Sequence, residues 1–215
     1  TKMGEAMIRV RTDVPDYSDL PEPHYDWSRS VYGNTTEEIP NDAPKPLGKM
    51  VRLTHFVDAN LMHDVLSGKS VTGILHIANQ TPIDWYSKKQ ATVETTTYGS
   101  EFVAARTCVE HAIDLRNTFR YLGVPIEESN YMFGDNKSVV DSSVTPHSTL
   151  NKRHTILSFH RVRQAIASGI IKFYHIPGEE NPADILSKHW GYTQIWEVLR
   201  PLLFWRGDTS ECIDG

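Results

Sequence analysis

The sequence predicts a mixed α/β domain: a five-stranded mixed sheet flanked by helices, in the order βββαβαβα. Three observations carry this expectation. From residue 50 onward, three β-type runs follow one another across connections too short for a helix, which favours an antiparallel meander. Two later segments repeat apolar residues at helical spacing and stop at glycine. Short apolar strands alternate with those segments.

Val51–Val57 reads as a first strand ending at Asp58, and Ser70–Ala78 as a second, after a polar loop through Ser67-Gly68-Lys69. Thr81-Pro82 turns into a third, Ile83–Ser87. Thr96 or Thr97 can cap a helix whose Phe102, Ala105, Val109, Ala112, Phe119 and Leu122 share one face, with Gly123 as the stop. Tyr131–Phe133 is a fourth strand, leading into Gly134-Asp135-Asn136. A helix over about Leu150 to Ser168 buries Ile156, Phe159, Val162 and Ile166, and Gly169 ends it. Ile170–Ile176 is the fifth strand, and Asn181-Pro182 opens a last helix carrying Asp184.

Residues 1–49 differ in kind. They hold six of the twelve prolines, and acids outnumber bases, so they read as an extended connector. Tyr25, Trp27 and Tyr32 are expected to pack onto a neighbouring surface, because disordered tails are poor in aromatics. The expected division is a connector over 1–49, a catalytic domain over 50–206 and a tail over 207–215. Position 1 is Thr rather than Met, and a piece of something longer is expected.

At 215 residues, with 39% hydrophobic and 23% charged, the composition is that of a globular chain. No apolar run reaches the length of a membrane span. Cys108 and Cys212 lack the spacing of a zinc finger or a disulfide framework, which fits a reducing compartment. The net charge of −5 opposes nucleic-acid binding as a sum, but no acid stands between Asp141 and Glu179. That tract carries Lys152, Arg153, Arg161, Arg163 and Lys172, and reads either as a solvated helix face or as a surface for an anionic partner.

Four acids occupy strand ends and helix starts: Asp58, Glu101, Asp135 and Asp184. Such positions converge on one edge of a mixed sheet. Clustered carboxylates repel one another and resist desolvation, so cations are needed to compensate them. Hard oxygen donors without His or Cys suit Mg²⁺ or Mn²⁺.

Phe56-Val-Asp58-Ala, Trp85-Tyr-Ser-Lys-Lys-Gln90, Gly99-Ser-Glu101-Phe-Val-Ala104, Gly134-Asp135-Asn136 and Asn181-Pro-Ala-Asp184-Ile-Leu-Ser-Lys188 follow one another in this order. Together they resemble the ribonuclease H domain of copia-type retrotransposon polyproteins, over about residues 50–190. Tyr25-Asp-Trp27 and Ala43–Gly48 resemble the segment joining that domain to the reverse transcriptase. The resemblance implies a ribonuclease H-like fold and an endonuclease cutting the RNA strand of RNA–DNA hybrids with two Mg²⁺ ions, Mn²⁺ being an alternative. Asp58 would bridge both ions, Glu101 and Asp135 would complete one, and Asp184 would hold the other. It further implies the reverse transcriptase of the same polyprotein as partner. The expected location is the cytoplasm, with a virus-like particle or the nucleus as alternatives.

For the substrate, Lys88, Lys89, Gln90 and Asn136 are candidates, as are Lys152, Arg153, Arg161 and Arg163. Lys88 and Lys89 read equally well as an exposed strand end. Members of the wider family often carry a histidine on a loop before the last Asp. Here His175 stands nine residues before Asp184, inside an expected strand, so it is either an accessory residue or an ordinary core or surface histidine.

Other readings fit less well. Gly68-Lys69-Ser70 lacks the upstream glycine of a P-loop, position 63 being His, and no GxSxG is present. Proofreading exonucleases need a second acid where position 60 is Asn, and integrases need one in the acid-free tract. The competing reading is a ribonuclease H-like fold that binds hybrid or braces the polymerase without cutting. Retention of all four acids favours the enzyme.

Overall fold

The structure is a computed structural model that describes residues 6–8, 10–23, 25–64, 66–150, 155–190, 195, 198–199 and 203–205. Strand β1 (Ala6–Ile8) pairs antiparallel with a late strand, Leu203–Trp205. The main sheet contains β2 (Leu53–Asp64), β3 (Lys69–Ala78), β4 (Thr81–Lys89), β5 (Asn130–Gly134) and β6 (Ile171–His175), in the order β4-β3-β2-β5-β6. The first three are the expected antiparallel meander. β5 and β6 join parallel to β2 and to each other, and parallel neighbours require crossover helices. Helix α1 (Thr97–Tyr121) supplies the first crossover, and α2 (Lys137–Val144) with α3 (Ile156–Ala167) the second. A single turn, α4 (Asp184–Ser187), follows β6, and Leu203–Trp205 is β7.

The Thr96 hydroxyl accepts from Gly99 N at 3.2 Å, capping α1 as its sequence predicts. Gly123 closes the helix at φ +69. The face with Phe102, Ala105, Val109 and Ala112 packs on the sheet beside Val57, Ile74, Met132, Phe159 and Val162, all buried. Leu122 leaves that face and is 71% exposed, because the helix has ended one residue earlier.

Three elements differ from the sequence reading. The strand expected to stop at Asp58 runs on to Asp64, its outer half pairing with β3 through an irregularity between Asn60 and Asp64. That half, Ala59-Asn-Leu-Met-His-Asp64, mixes apolar and polar residues without strict alternation, so the strand pattern is not legible past Asp58. Helix α2, capped by the Asn136 side chain on Val139 N, was not expected. The α3 helix is described from Ile156, which is exposed rather than buried.

Residues 10–49 lie as a strap along the domain. Tyr17 sits against the rings of Tyr131 and Phe133 at 4.8 and 5.4 Å. Trp27 and the buried Tyr32 flank the Arg163 guanidinium at 4.9 and 5.5 Å, whereas Tyr25 is largely exposed. Glu37 meets Arg116 and Arg120 at 2.7 Å each. Arg116, itself 1% exposed, starts a buried polar seam. It donates to Asn130 Oδ1 (2.6 Å), Asn130 Nδ2 donates to His55 Nε2 (2.7 Å), and His55 and His76 meet through their Nδ1 atoms (2.7 Å). Arginine can only donate, so every proton in this chain points toward His76. Burial pushes the His55 pKa well below its usual range and holds His76 at about 4.

Among the described residues no helix is long and apolar enough to cross a membrane. The expected tail over 207–215 and the boundary at 206 lie outside the described residues.

Candidate metal centre

The site forms where β2 and β5 lie side by side. Asp58 lies in mid-β2, and Asp135 follows the last residue of β5. Glu101 projects from the second turn of α1. Oxygen atoms of these three carboxylates lie within 4.8 Å of one another. Asp58 is 2% exposed and Glu101 6%, while Asp135 is half-buried.

Local backbone chemistry holds this arrangement. Asp58 pairs across the ladder with Gly73, where a Cβ would lie 2.6 Å from Ala183 O and 2.9 Å from Ser187 N. Only glycine lets α4 approach β3 so closely. Asn181 ties the same segment to β2: its Nδ2 donates to Val57 O at 2.9 Å, and its Oδ1 accepts from Ala183 N at 3.1 Å. As a result the Ser187 hydroxyl donates to Asp58, and Asp184 is brought close beside it. Ala59 N donates to Glu101 at 3.3 Å.

These are costly carboxylates. Burial raises Asp58 to about 6, with repulsion from Asp135 and Asp184 adding to it and Ser187 and Lys188 opposing it. Burial, then Asp58 and Asp135, push Glu101 well above the usual carboxylate range. A hard-oxygen cluster of this charge fits a divalent cation and repels most other occupants.

Asp184 stands apart from the three. It is buried, but it forms an ion pair with Lys188, one helical turn on. The sequence reading quoted Lys188 within a motif without giving it a role, although the i, i+4 spacing from Asp184 announces the pair. The carboxylates open into a cleft of about 370 Å³, also lined by Asn60, Thr97, Asn136 and Lys188.

The substrate candidates scatter. Lys88 and Lys89 are exposed on β4, with Lys89 paired to Asp64 at 2.8 Å. Asn136 caps α2 and faces the cleft. Gln90 must be corrected: it is buried, and its amide donates to Thr72 Oγ1 (3.0 Å) and Ser100 O (2.8 Å), bracing β3 against α1. Arg163 must be corrected too. It is 2% exposed, and its guanidinium is spent on the carbonyls of Ser142, Thr145 and Pro146 at 2.6–2.7 Å. Arg161 lies by Gln164 and borders a cavity with Glu37 and Glu38, while Lys172 pairs with Glu22 at 2.8 Å. The acid-free tract is therefore no single basic face. Lys152 and Arg153 lie outside the described residues. His175 is exposed at the end of β6 and donates to the Asp135 carbonyl at 3.0 Å.

No family model matches the chain. It is 29% identical over 136 residues to the retrovirus-related Pol polyprotein from transposon TNT 1-94 of Nicotiana tabacum, a match covering 63% of this chain and 10% of that one. With the Pol polyprotein from transposon RE2 of Arabidopsis thaliana it shares 23% over 141 residues, 66% of this chain and 10% of that one. The chain thus spans about a tenth of the length of the curated relatives it matches. Superposition on the N-terminal ribonuclease H domain of Rv2228c from Mycobacterium tuberculosis gives a TM-score of 0.48 at 16% identity, over 70% of this chain and 97% of that one. The sheet order β4-β3-β2-β5-β6, with an antiparallel first half and a parallel second half, is that of the ribonuclease H-like fold, and the chain is similar over about two thirds of its length to a part of retrotransposon Pol polyproteins.

Proposed function

We propose that this chain is an endoribonuclease that hydrolyses the RNA strand of RNA–DNA hybrids during retrotransposon replication. The observation that carries the reading is the convergence of Asp58, Glu101 and Asp135 within 4.8 Å, two of them buried and hard to ionise. Nothing in packing requires that cost; two divalent cations, Mg²⁺ or Mn²⁺, would offset it. Such ions supply Lewis acidity toward the attacking water and the leaving 3′ oxygen.

The protein's own groups do the rest. Asp58 is grouped with Glu101 and Asp135 and also feels the charge of Asp184, which would suit a shared ligand. Ser187 fixes the Asp58 carboxylate through its hydroxyl. Asp184 serves as the fourth ligand once it leaves Lys188. Asn136, which lines the cleft, and Lys88, exposed on β4, are the groups that would meet phosphate or sugar, and the 2′-hydroxyl marks the strand to be cut. Products carry a 5′-phosphate and a 3′-hydroxyl. Residues 50–206 are the catalytic unit and 1–49 the strap that leads to it. The partner is the reverse transcriptase of the same polyprotein, a reading supported by relatives about ten times the span of the match.

One observation favours a second reading, a fold that binds hybrid without cutting it. The Lys188 ammonium holds Asp184, which withdraws one carboxylate from the set. Heating the EDTA-treated protein with and without Mn²⁺ tests the site first: binding to the folded state alone raises Tm, by about 2.7 kcal/mol of stability at one hundred times Kd. Cleavage of a labelled hybrid then separates the readings. A raised Tm with intact RNA would favour the binding module.

A further inference from the structure

The outer half of β2 carries a feature that the carboxylate site leaves unused. Between Asn60 and Asp64 the ladder with β3 is irregular, and Met62 adopts φ +52, a left-handed conformation rare for a side chain of its size. Met62 is 54% exposed, so the strain is not offset by burial of its own side chain. Met62 N donates to the Ser70 hydroxyl at 3.4 Å, bracing the irregularity.

Within this irregular stretch stands His63, which meets His189. Its ring lies 4.5 Å from that of His189, centroid to centroid, at 48°. Asn60 Nδ2 lies 2.8 Å from His63 Nδ1 and donates to it, which leaves the His63 ring proton on Nε2. Asn60 and Lys188, the residue before His189, both line the carboxylate cleft. The two imidazoles, 126 positions apart in sequence, thus meet beside two residues that line the cleft. His189 is exposed, and no core packing explains its place.

Charge makes the need concrete. A cleft floored with carboxylates repels a phosphodiester backbone, so donors at its rim have to hold that backbone in place. Among the described residues of the acid-free tract, Arg163 is buried, Lys172 is paired, and Arg161 borders a cavity with Glu37 and Glu38. On the hairpin, Lys89 cancels the charge of Asp64. We propose that His63 and His189 form a phosphate-gripping pair that seats the nucleic-acid strand entering the carboxylate cleft. This rests on the hybrid reading above and adds the residues that position the strand.

The test is steady-state cleavage of a short RNA–DNA hybrid in Mg²⁺ by wild type, His189→Ala and the double variant His63→Ala/His189→Ala. Loss of two phosphate hydrogen bonds should raise KM about tenfold and leave kcat within about twofold, since such contacts hold ground and transition states alike. The double variant His63→Gln/His189→Gln, which keeps an N–H donor at each place, should recover most of the lost affinity. A ring pair that merely packs would be moved equally by Ala and Gln. Anisotropy of the same hybrid in Ca²⁺ gives Kd independently of turnover and should shift in step. His189→Ala removes an exposed ring and leaves no cavity, so it keeps the test open if the double variants fail to fold. Unchanged KM and Kd in folded variants, beside an active wild type, would overturn the pair alone. A wild type that neither cuts nor binds hybrid would overturn the parent reading and this inference with it.

Discussion

Replacing Asp58 by Asn should stabilise the metal-free fold while destroying its response to metal. Ionised Asp58 is buried beside other carboxylates, and its pKa rises from 3.8 to about 6. Each pH unit by which a folded-state acid lies above its unfolded value costs about 1.4 kcal/mol once the acid is ionised. The penalty therefore reaches about 3 kcal/mol above pH 6, shared with the neighbours that repel it. The sign follows from the raised value. Well below pH 3.8 the group is protonated in both states and costs nothing; the cost grows from there toward pH 6 and is complete beyond it. Asparagine is uncharged throughout and can still accept from Ser187. In EDTA at pH 7.5 the variant should melt about 6–12 °C above wild type, given about 2–4 °C per kcal/mol for a chain of this size. At pH 4 the difference should nearly vanish. Added Mn²⁺ should raise Tm for wild type and not for the variant. An Asn variant that is no more stable than wild type at pH 7.5 would refute the electrostatic reasoning. One that still gains stability from Mn²⁺ would remove Asp58 from the ligand set.

Other perturbations should separate structure from function. Glu37→Gln leaves the buried Arg116 without its carboxylate and should cost about 2 kcal/mol, allowing for solvent screening. Burial opposes ionisation of Glu37, but Arg116 and Arg120 hold its pKa at about 2, so this stabilisation is full above pH 4.5 and fades as pH falls toward 2. Urea unfolding across that range reads it, and an unchanged midpoint would show that the strap is not held there. Arg163→Met should destabilise by about 3 kcal/mol, since three carbonyls lose their donor, whereas Arg161→Ala should stay within about 0.5 kcal/mol. Equal unfolding midpoints for the two variants would contradict the burial of Arg163. Lys188→Met should free Asp184 and lower the Mn²⁺ concentration needed for half-maximal stabilisation; an unchanged titration would mean that the ion pair does not compete with metal.

Much of the fold is legible in the sequence because periodicity and punctuation are local. Strands β3 to β6 and helix α1 have clear apolar patterns bounded by Gly, Pro or Thr, and the structure shifts their ends by only one or two residues. The outer half of β2 is illegible because only Ala59 of it reaches the core and its irregular pairing breaks the alternation that marks a strand. Basicity was equally ambiguous: Arg163 in a carbonyl cage has the same neighbours in sequence as an arginine in water. The three converging carboxylates could be proposed from strand ends and helix starts, but the approach of Ser187 and Asp184 to Asp58 depends on Gly73 and Asn181, whose partners lie more than one hundred positions away. A glycine inside a strand pattern is itself a sign of close backbone approach, and Gly73 carried that sign. The pairing of Lys188 with Asp184 is announced by its i, i+4 spacing, whereas the meeting of His63 with His189 needed the fold.

The most direct measurement is digestion of a hybrid labelled on both strands, in Mg²⁺, by wild type and by Asp135→Asn. The expected result is fragmentation of the RNA strand alone into pieces with 5′-phosphate and 3′-hydroxyl ends, and loss of that activity in the variant, whose melting temperature without metal is not lowered. An RNA strand left intact by folded wild type in both Mg²⁺ and Mn²⁺, or cut equally by Asp135→Asn, would contradict a metal-dependent ribonuclease at this site.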